Sequence, residues 1–247
     1  MIVIISGSPR GERSTSTKTA IQIADLLGLP YRVYDASAWH IDYCTACDKC
    51  VQYGRCTLES EDDFPEILRD LRNAEGLIFA SPVYCGNYTA QLKTFIDRIP
   101  TELHAMTLLG KPSVVLAVSN SSYEERTANS LAELLEYAGS EVVDTLCINR
   151  KTHSETIRQM CRQAALRLRE ALSDDHIPVL TDRTKSWYKQ QSAKYRVLLK
   201  FADFYPYAMG EARLWQDQGY FECATAEEAA RMRRKAVPVQ GISPTTE

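Results

Sequence analysis

The stretch Ile2-Val3-Ile4-Ile5-Ser6-Gly7-Ser8-Pro9-Arg10, which continues into Ser14-Thr15-Ser16-Thr17, decides the fold of this chain. Its first four residues are apolar and β-branched, which predicts a strand buried on both faces. A glycine ends the strand, and a hydroxyl-rich loop with one arginine leads into a helical pattern. A strand, a turn and a helix N-terminus together make an anion site, because backbone N–H groups and the positive end of the helix dipole point into the loop.

A single phosphate group is the occupant that this loop favours. Hydroxyl groups donate hydrogen bonds to phosphate, and an arginine adds a charge-assisted one. The loop contains no GxxxxGK[ST] motif and no GxGxxG motif, so it is neither a Walker A loop nor a dinucleotide fingerprint. An ordinary turn with a capping Ser or Thr is the alternative. The candidate phosphate ligands are Ser8, Arg10, Ser14, Thr15 and Ser16.

The composition narrows the class of protein. The chain has 247 residues and a formal net charge of −3, which argues against general binding of nucleic acid or anionic membranes. No secretory signal is visible, and no apolar run approaches the length of a membrane span. We therefore expect a cytoplasmic protein with no nucleic-acid or membrane partner. Its eight cysteines are then not expected to form structural disulfides.

Strand patterns alternate with helical patterns through the first 175 residues. Five strands are predicted, at 2–5, 31–35, 76–80, 113–118 and 141–148. This alternation predicts an α/β fold, a five-stranded parallel sheet with helices on both faces. From 176 to 247 the chain changes to a helical, aromatic-rich extension, for which we expect the role of an oligomer arm or an active-site lid.

Three loops of unusual composition follow the predicted strands. They lie at 7–17, 81–88 and 119–123 and are rich in hydroxyl, amide and glycine residues. Ligands of parallel sheets bind beyond the carboxyl ends of the strands, at the switch point of strand order. Because these loops meet at that edge and suit a flat heterocycle and a phosphate, they predict a mononucleotide or flavin site.

Four of the eight cysteines lie within thirteen residues, in the loop after the second strand. The C-x2-C-x2-C run has the ferredoxin-type spacing of an iron-sulfur cluster, and the following C-x5-C interval lets a fourth thiolate close the same cluster. A structural zinc site and a set of redox-active thiols without metal are the alternatives. The candidate metal ligands in this loop, 44–56, are Cys44, Cys47, Cys50 and Cys56.

In combination these motifs resemble the NADPH-dependent FMN reductase-like proteins of the flavodoxin superfamily. The cysteine run resembles in particular the iron-sulfur flavoproteins of that group. The resemblance covers roughly residues 1–172. It implies a flavodoxin-like, FMN-binding domain over 1–175 and a homodimer or homotetramer that brings a cluster near the flavin. The segments that carry it are Gly7-Ser8-Pro9-Arg10, the cysteine run, Asp62-Asp63, Ser81-Pro82-Val83-Tyr84 with Gly86-Asn87, and Leu92-Lys93-x-Phe95-x-Asp97-Arg98.

Carried over residue by residue, the resemblance implies three sets of FMN ligands. The first loop matches the phosphate loop, the second matches the loop that holds the isoalloxazine edge, and the third falls where the third flavin loop lies. Beyond the phosphate ligands given above, the implied residues are Pro82, Val83, Tyr84, Gly86 and Asn87 in the second loop and Ser119, Asn120, Ser121 and Ser122 in the third.

The function expected from this pattern is that of an FMN-dependent oxidoreductase with a [4Fe-4S] cluster. It transfers electrons between NAD(P)H, or a one-electron carrier such as a ferredoxin-like protein, and a small-molecule acceptor (a quinone, a flavin or O2). No side chain is expected to be catalytic, because FMN carries the redox chemistry. Two alternatives remain: a dedicated FMN-dependent dehydrogenase of a small anionic or aromatic-type metabolite, and a non-catalytic redox sensor or electron carrier for a protein partner.

Overall fold

The computed structural model describes residues 1–58, 62–205, 207 and 209–236. Within these residues five strands form one sheet with the order β2-β1-β3-β4-β5, and every neighbouring pair is parallel. This is the flavodoxin-like order, whose switch point lies between β1 and β3. The predicted fold class is therefore confirmed. The strands are β1 (Ile2–Ser6), β2 (Tyr31–Asp35), β3 (Gly76–Pro82), β4 (Pro112–Val118) and β5 (Glu141–Ile148).

Helices cover both faces of the sheet, as the alternating pattern predicts. Helices α1 and α7 pack on one face, and α3, α4 and α6 pack on the other. The shorter helices α2, α5 and α9 are not predicted from the sequence. The helices are α1 (Thr15–Leu27), α2 (Lys49–Tyr53), α3 (Phe64–Asn73), α4 (Ala90–Ile96), α5 (Pro100–His104), α6 (Glu124–Tyr137), α7 (Ser154–Ala171), α8 (Asp182–Lys200), α9 (Met209–Asp217) and α10 (Ala226–Ala236).

Strand β1 shows why the first apolar run directs the fold. Its first four side chains are completely buried. Successive residues of a strand point to opposite faces, so Val3 and Ile5 enter one hydrophobic core while Ile2 and Ile4 enter the other. A central strand of this kind needs apolar residues at every position, because neither face is in contact with water.

The C-terminal extension builds a third hydrophobic core from α8, α9 and α10. Trp215, Tyr195 and Tyr220 are completely buried in it, and Met106 and Leu109, between α5 and β4, join the same core. The extension therefore packs on the flavodoxin-like domain of its own chain. Its role as an arm or lid stays a prediction, and residues 237–247 lie outside the described residues. None of the helices in the described part of the chain combines the length and apolar content needed to cross a membrane.

Candidate functional site

The loop after β1 combines buried hydroxyl groups with the start of a helix. The side chains of Ser8, Ser14 and Ser16 are buried. The Oγ atoms of Ser14 and Ser16 lie 2.7 Å apart, and Ser14 makes no side-chain capping bond to α1. The first turn of α1 thus presents its N–H groups and the positive end of its dipole without a side-chain cap, which suits an anion. Arg10 and Thr15 are exposed in the same loop.

The loop after β3 forms a tight reverse turn. The backbones of Tyr84 and Asn87 bond each other in both directions, with N···O distances of 2.8 and 3.1 Å. Between them, Cys85 and Gly86 have φ angles of 50° and 77°. Two successive positive φ angles are typical of a type I′ turn, which is why glycine is required at one of the two positions. The turn leaves the Tyr84 ring 45% exposed.

The loop after β4 is shaped by a carboxylate at the start of α6. Ser119 donates its hydroxyl to Glu124 Oε2 at 2.6 Å, and Asn149, just after β5, donates its amide to Glu124 Oε1 at 2.6 Å. The bond from Asn149, followed by that from Ser119, lowers the pKa of Glu124. An ionised Glu124 therefore joins the ends of β4 and β5. The other three predicted FMN ligands of this loop are exposed: Asn120, Ser121 and Ser122.

The first and second loops are joined through the start of α4. Thr89, which caps α4, donates its hydroxyl to the carbonyl of Gly7 at 2.6 Å. A Cβ at Gly7 would lie only 2.6 Å from the Cβ of Leu92, so the glycine is what allows α4 to approach. The N–H of Gly7 also bonds to the carbonyl of Ala80, at 2.8 Å. The phosphate loop and the β3 loop therefore form one packed unit.

The second and third loops are joined in a similar way. The N–H of Val83 donates to the carbonyl of Val118 at 2.8 Å. The ring of Tyr123 lies 3.7 Å from where a Cβ on Gly86 would stand. The structure therefore brings the three predicted loops together at the carboxyl edge of the sheet. The individual contacts of their residues with FMN stay a prediction.

The groups gathered at this edge fit FMN. A phosphate needs several N–H and O–H donors and gains from a positive charge, and the α1 N-terminus, the serines and Arg10 supply both. The flat ring system of a flavin needs aromatic or apolar surface, and the rings of Tyr84 and Tyr123 are 45% and 57% exposed here. The edge thus offers a phosphate site and a heterocycle site within one continuous set of loops.

The segment between β2 and α3 carries the four predicted metal ligands. Cys44 and Cys47 are exposed, whereas Cys50 and Cys56 are half-buried. Among the residues that the structure describes, no three Cys, His, Asp or Glu side chains are placed to share one metal ion. The four thiols have the donor chemistry of an iron-sulfur site, but the structure does not bring them to a common centre.

Carboxylate hydrogen bonds close the base of this cysteine loop, which we define as residues 43–58. Asp62 accepts the backbone N–H of Asp42 at 2.8 Å and that of Phe64 at 3.0 Å. Asp63 accepts the N–H of His40 at 2.7 Å and returns its own N–H to the His40 carbonyl at 3.0 Å. These hydrogen bonds hold the two ends of the cysteine loop close together, as in a compact Ω-type loop.

Arg98 fastens the cysteine loop to the end of α4. Its Nη1 donates to the carboxylate of Asp62, and both side chains are completely buried. Its Nε donates to Cys56 Sγ at 3.3 Å, and its guanidinium carbon lies 4.3 Å from the ring centroid of Phe64. A buried cation held by a carboxylate, a sulfur and an aromatic ring adopts one defined position.

Helix α2, which contains Cys50, packs on α9 of the C-terminal extension. The two backbones are so close that a Cβ on Gly210 would collide with the backbone nitrogen of Gly54. Burial raises the pKa of the Cys50 thiol, and the carboxylate of Glu211 on α9 contributes to this rise. The backbone N–H of Lys49, by contrast, lowers the pKa of Cys47. The extension thus forms part of the surroundings of the cysteine loop.

Three of these residues receive no role in the site from the sequence alone. Arg98 stands in the family motif that ends with Asp97-Arg98, but the motif does not show that it pairs with Asp62 and contacts Cys56. Glu124 and Asn149 carry no comparable signal, because their contact joins two loops that are separate in sequence.

Comparisons with known proteins agree with this geometry. Residues 1–153 match the family described as NADPH-dependent FMN reductase. An iron-sulfur flavoprotein from Methanosarcina thermophila is 30% identical over 178 residues, which are 64% of this chain and 91% of that protein. An iron-sulfur flavoprotein from Archaeoglobus fulgidus is 39% identical over 109 residues, 43% of this chain and 49% of that protein. The chain therefore spans about half the length of the second relative.

A solved structure shows the same fold. The crystal structure of RosB with a bound riboflavin-phosphate intermediate has a TM-score of 0.54 at 15% identity, and the match covers 79% of this chain and 86% of RosB. At this identity the likeness concerns the fold alone. The family match extends over the strands and loops that build the candidate FMN site. The chain belongs to the NADPH-dependent FMN reductase family, and iron-sulfur flavoproteins are among its relatives.

Proposed function

We propose that this chain is an FMN-dependent oxidoreductase with one [4Fe-4S] cluster on Cys44, Cys47, Cys50 and Cys56. It transfers electrons between NAD(P)H, or a one-electron carrier, and a small-molecule acceptor such as a quinone, a flavin or O2. When bound, FMN supplies two-electron and one-electron redox chemistry, and a [4Fe-4S] cluster carries one electron at a time. A protein that holds both is suited to connect two-electron and one-electron partners.

The main support for this proposal is that α4 and the residues at its two ends contact both the phosphate loop and the cysteine loop. Thr89 at the start of the helix bonds to Gly7 of the phosphate loop, and Arg98 just beyond its end bonds to Cys56 of the cysteine loop. At about 1.5 Å per residue, these two positions lie roughly 13 Å apart along the helix. The candidate flavin site and the candidate cluster site of a single chain are thus joined by one short, rigid element.

The chain's own residues bind and orient these groups. Ser8, Ser14, Ser16 and Arg10 would hold the phosphate, and the turn from Tyr84 to Asn87 would hold the edge of the flavin ring. At the cysteine loop, Arg98 donates an N–H to the Cys56 sulfur. Hydrogen bonds of this kind change the reduction potential of a cluster that the sulfur binds. The two relatives described above are both iron-sulfur flavoproteins, which supports the same assignment.

We also propose that the protein assembles as a homodimer or homotetramer in the cytoplasm. The residues between α8 and α9 carry aromatic side chains that are 42% to 74% exposed: Phe201, Phe204, Tyr205 and Tyr207. Exposed apolar patches are typical of interaction surfaces. Light scattering should give a multiple of the 27.9 kDa chain mass. A monomer at micromolar concentration would contradict this part of the proposal.

Steady-state turnover tests the enzymatic part. The FMN-loaded protein, purified without oxygen, is mixed with NADPH or NADH and with a quinone, free FMN or O2 as acceptor. We expect sustained oxidation of the nicotinamide with at least one acceptor. If no combination turns over, while a reduced ferredoxin still exchanges electrons with the protein, the reductase assignment is wrong and the chain is an electron carrier.

A further inference from the structure

A cavity of about 540 Å³ opens at the edge of the sheet opposite the FMN loops. Its walls come from the residues before β3 and β4, from the segment after α7 and from the last turns of α10. Gly110 allows α10 to approach, because a Cβ there would lie 2.9 Å from the Cβ of Ala230. With about 3.3 Å per strand residue, the seven residues of β4 place this cavity roughly 20 Å from the FMN loops.

Basic side chains dominate the charge of this cavity. Lys111 precedes β4, and Arg231, Arg233 and Arg234 lie on α10. Within the described part of the chain, none of the four forms an ion pair with a carboxylate. Basic side chains gathered in one cavity repel one another where they are charged, and a bound anion would offset that repulsion.

The hydrogen-bond partners of Arg234 are neutral groups, and the carboxylates of Glu141 and Asp174 act on its charge from a greater distance. Its Nη2 donates to the backbone carbonyls of Ala171 at 2.7 Å and Ser173 at 3.0 Å. Its Nη1 is buried and has no hydrogen-bond partner among the described residues. A buried guanidinium N–H without an acceptor is costly, so a negative charge placed beside Arg234 would be stabilising.

Arg233 and Lys111 are also held by neutral oxygens. Arg233 donates to Gln218 Oε1 at 2.5 Å and to the Tyr220 hydroxyl at 2.8 Å. Lys111 donates to the backbone carbonyls of Arg72, in the last turn of α3, and of Ala74, just after that helix. Burial, together with the like charge of Arg233, lowers the pKa of Lys111 to about 7. Both side chains line the cavity, where the carboxylate of Glu75 acts on Lys111 in the opposite direction to Arg233.

Three carboxylates line the same cavity but do not balance these charges. Glu75 is already paired with the α-amino group of Met1, at 2.6 Å. Asp174 and Asp175 remain, against four basic side chains. The cavity also has an apolar wall, formed by Leu109, Pro112, Leu172 and Ile177. Its size lies within the roughly 300–1,000 Å³ of ligand pockets for small molecules.

We propose that this cavity binds a small organic anion, whose acidic group is attracted by Arg231 and Arg234 and whose apolar body packs on the wall that includes Leu109 and Leu172. This site is separate from the FMN site and does not depend on the function proposed above. It lies between the sheet and the C-terminal extension, so that its ligand contacts both parts of the chain.

Calorimetric titration with a matched pair of probes tests the site. The full chain, saturated with FMN, is titrated with 8-anilinonaphthalene-1-sulfonate, which joins an anionic group to an apolar body, and with its neutral parent, N-phenyl-1-naphthylamine. We expect one sulfonate to bind per chain. Both Arg234→Gln and Arg231→Gln should weaken its binding, by about tenfold for Arg234, and should leave binding of the neutral probe within about twofold.

Arg158→Gln is the control, because Arg158 is an exposed α7 residue paired with Glu155. It should leave sulfonate binding unchanged. Arg231 is exposed, so its variant keeps the test valid if Arg234→Gln does not fold. An absence of saturable sulfonate binding to the wild type would overturn the proposal. Equal weakening of both probes, or no weakening by the arginine variants, would overturn it as well.

Discussion

The Nε of Arg98 donates to the Sγ of Cys56 at 3.3 Å, across 42 residues of chain. The same guanidinium group donates through Nη1 to the buried carboxylate of Asp62. One cation thus bonds both a candidate metal ligand and the carboxylate that closes the base of the cysteine loop. Removing the Arg98 side chain should therefore lower the stability of the fold and change the surroundings of the Cys56 thiol.

Arg98→Met should lower the free energy of unfolding by about 3–5 kcal/mol, because it leaves the Asp62 carboxylate buried without its partner. Urea unfolding of the metal-free protein measures this loss, and the double variant Arg98→Met with Asp62→Asn should recover part of it. Lys93→Met is the control, since Lys93 forms an exposed pair with Asp97 on α4 and should cost less than about 1 kcal/mol. An equal loss of unfolding free energy in the two single variants would show that Arg98 does not stabilise the cysteine loop more than an exposed ion pair does.

Arg10→Ala should weaken FMN binding about ten- to a hundredfold, because it removes a charge-assisted contact worth roughly 1.5–3 kcal/mol. Arg13→Ala is a matched control, since Arg13 is an exposed arginine of the same loop that is not a predicted phosphate ligand. Fluorescence quenching of FMN on titration with apoprotein gives both affinities. Unchanged affinity in the Arg10 variant would mean that the phosphate loop is assigned wrongly.

Gly210→Ala should separate α9 from α2, because the added methyl group would collide with the backbone at Gly54. We expect a loss of about 1–3 kcal/mol in stability and faster alkylation of Cys50, with FMN affinity unchanged. Arg213→Ala, an exposed change on α9, should alter neither quantity. An unchanged alkylation rate in a destabilised Gly210 variant would show that the extension does not hold the cysteine loop.

Lys111 should make stability depend on pH. Burial lowers its folded pKa to about 7, below the value of 10.5 in an unfolded chain. Between these values the unfolded state binds more protons, so the contribution of Lys111 to stability rises with pH from about 7 to about 10.5. Between pH 7 and pH 9, the free energy of unfolding measured with urea should rise less for Lys111→Met than for the wild type. The difference should be up to about 2.7 kcal/mol. Parallel curves for the two proteins would contradict this.

The parts of the fold that could be predicted from the sequence carry local signals. Strand β1 is recognisable because four successive apolar residues are needed where both faces are buried. The loops after β1, β3 and β4 are recognisable because turns and anion sites select glycine and hydroxyl residues. Helix α8 is harder to recognise, because two of its four buried residues, Thr184 and Gln191, are polar and hide its helical period.

The rest of the candidate site depends on contacts between distant segments. The pairing of Arg98 with Cys56 and the approach of Gly54 to Gly210 have no counterpart in any local pattern. Helices α2 and α5 have five residues each, too few to show a period. The spacing of the four cysteines predicts their chemistry but not the helices that surround them.

Quantifying FMN, iron, acid-labile sulfide and zinc in protein purified without oxygen tests the proposed function most directly. We expect one FMN per chain with about four iron atoms and about four sulfides. Cys50→Ala should keep the FMN and lose the iron, because it changes a cluster ligand and no residue of the FMN loops. Zinc in place of iron, or four thiols with neither iron nor sulfide, would contradict the proposal of a [4Fe-4S] cluster on this loop.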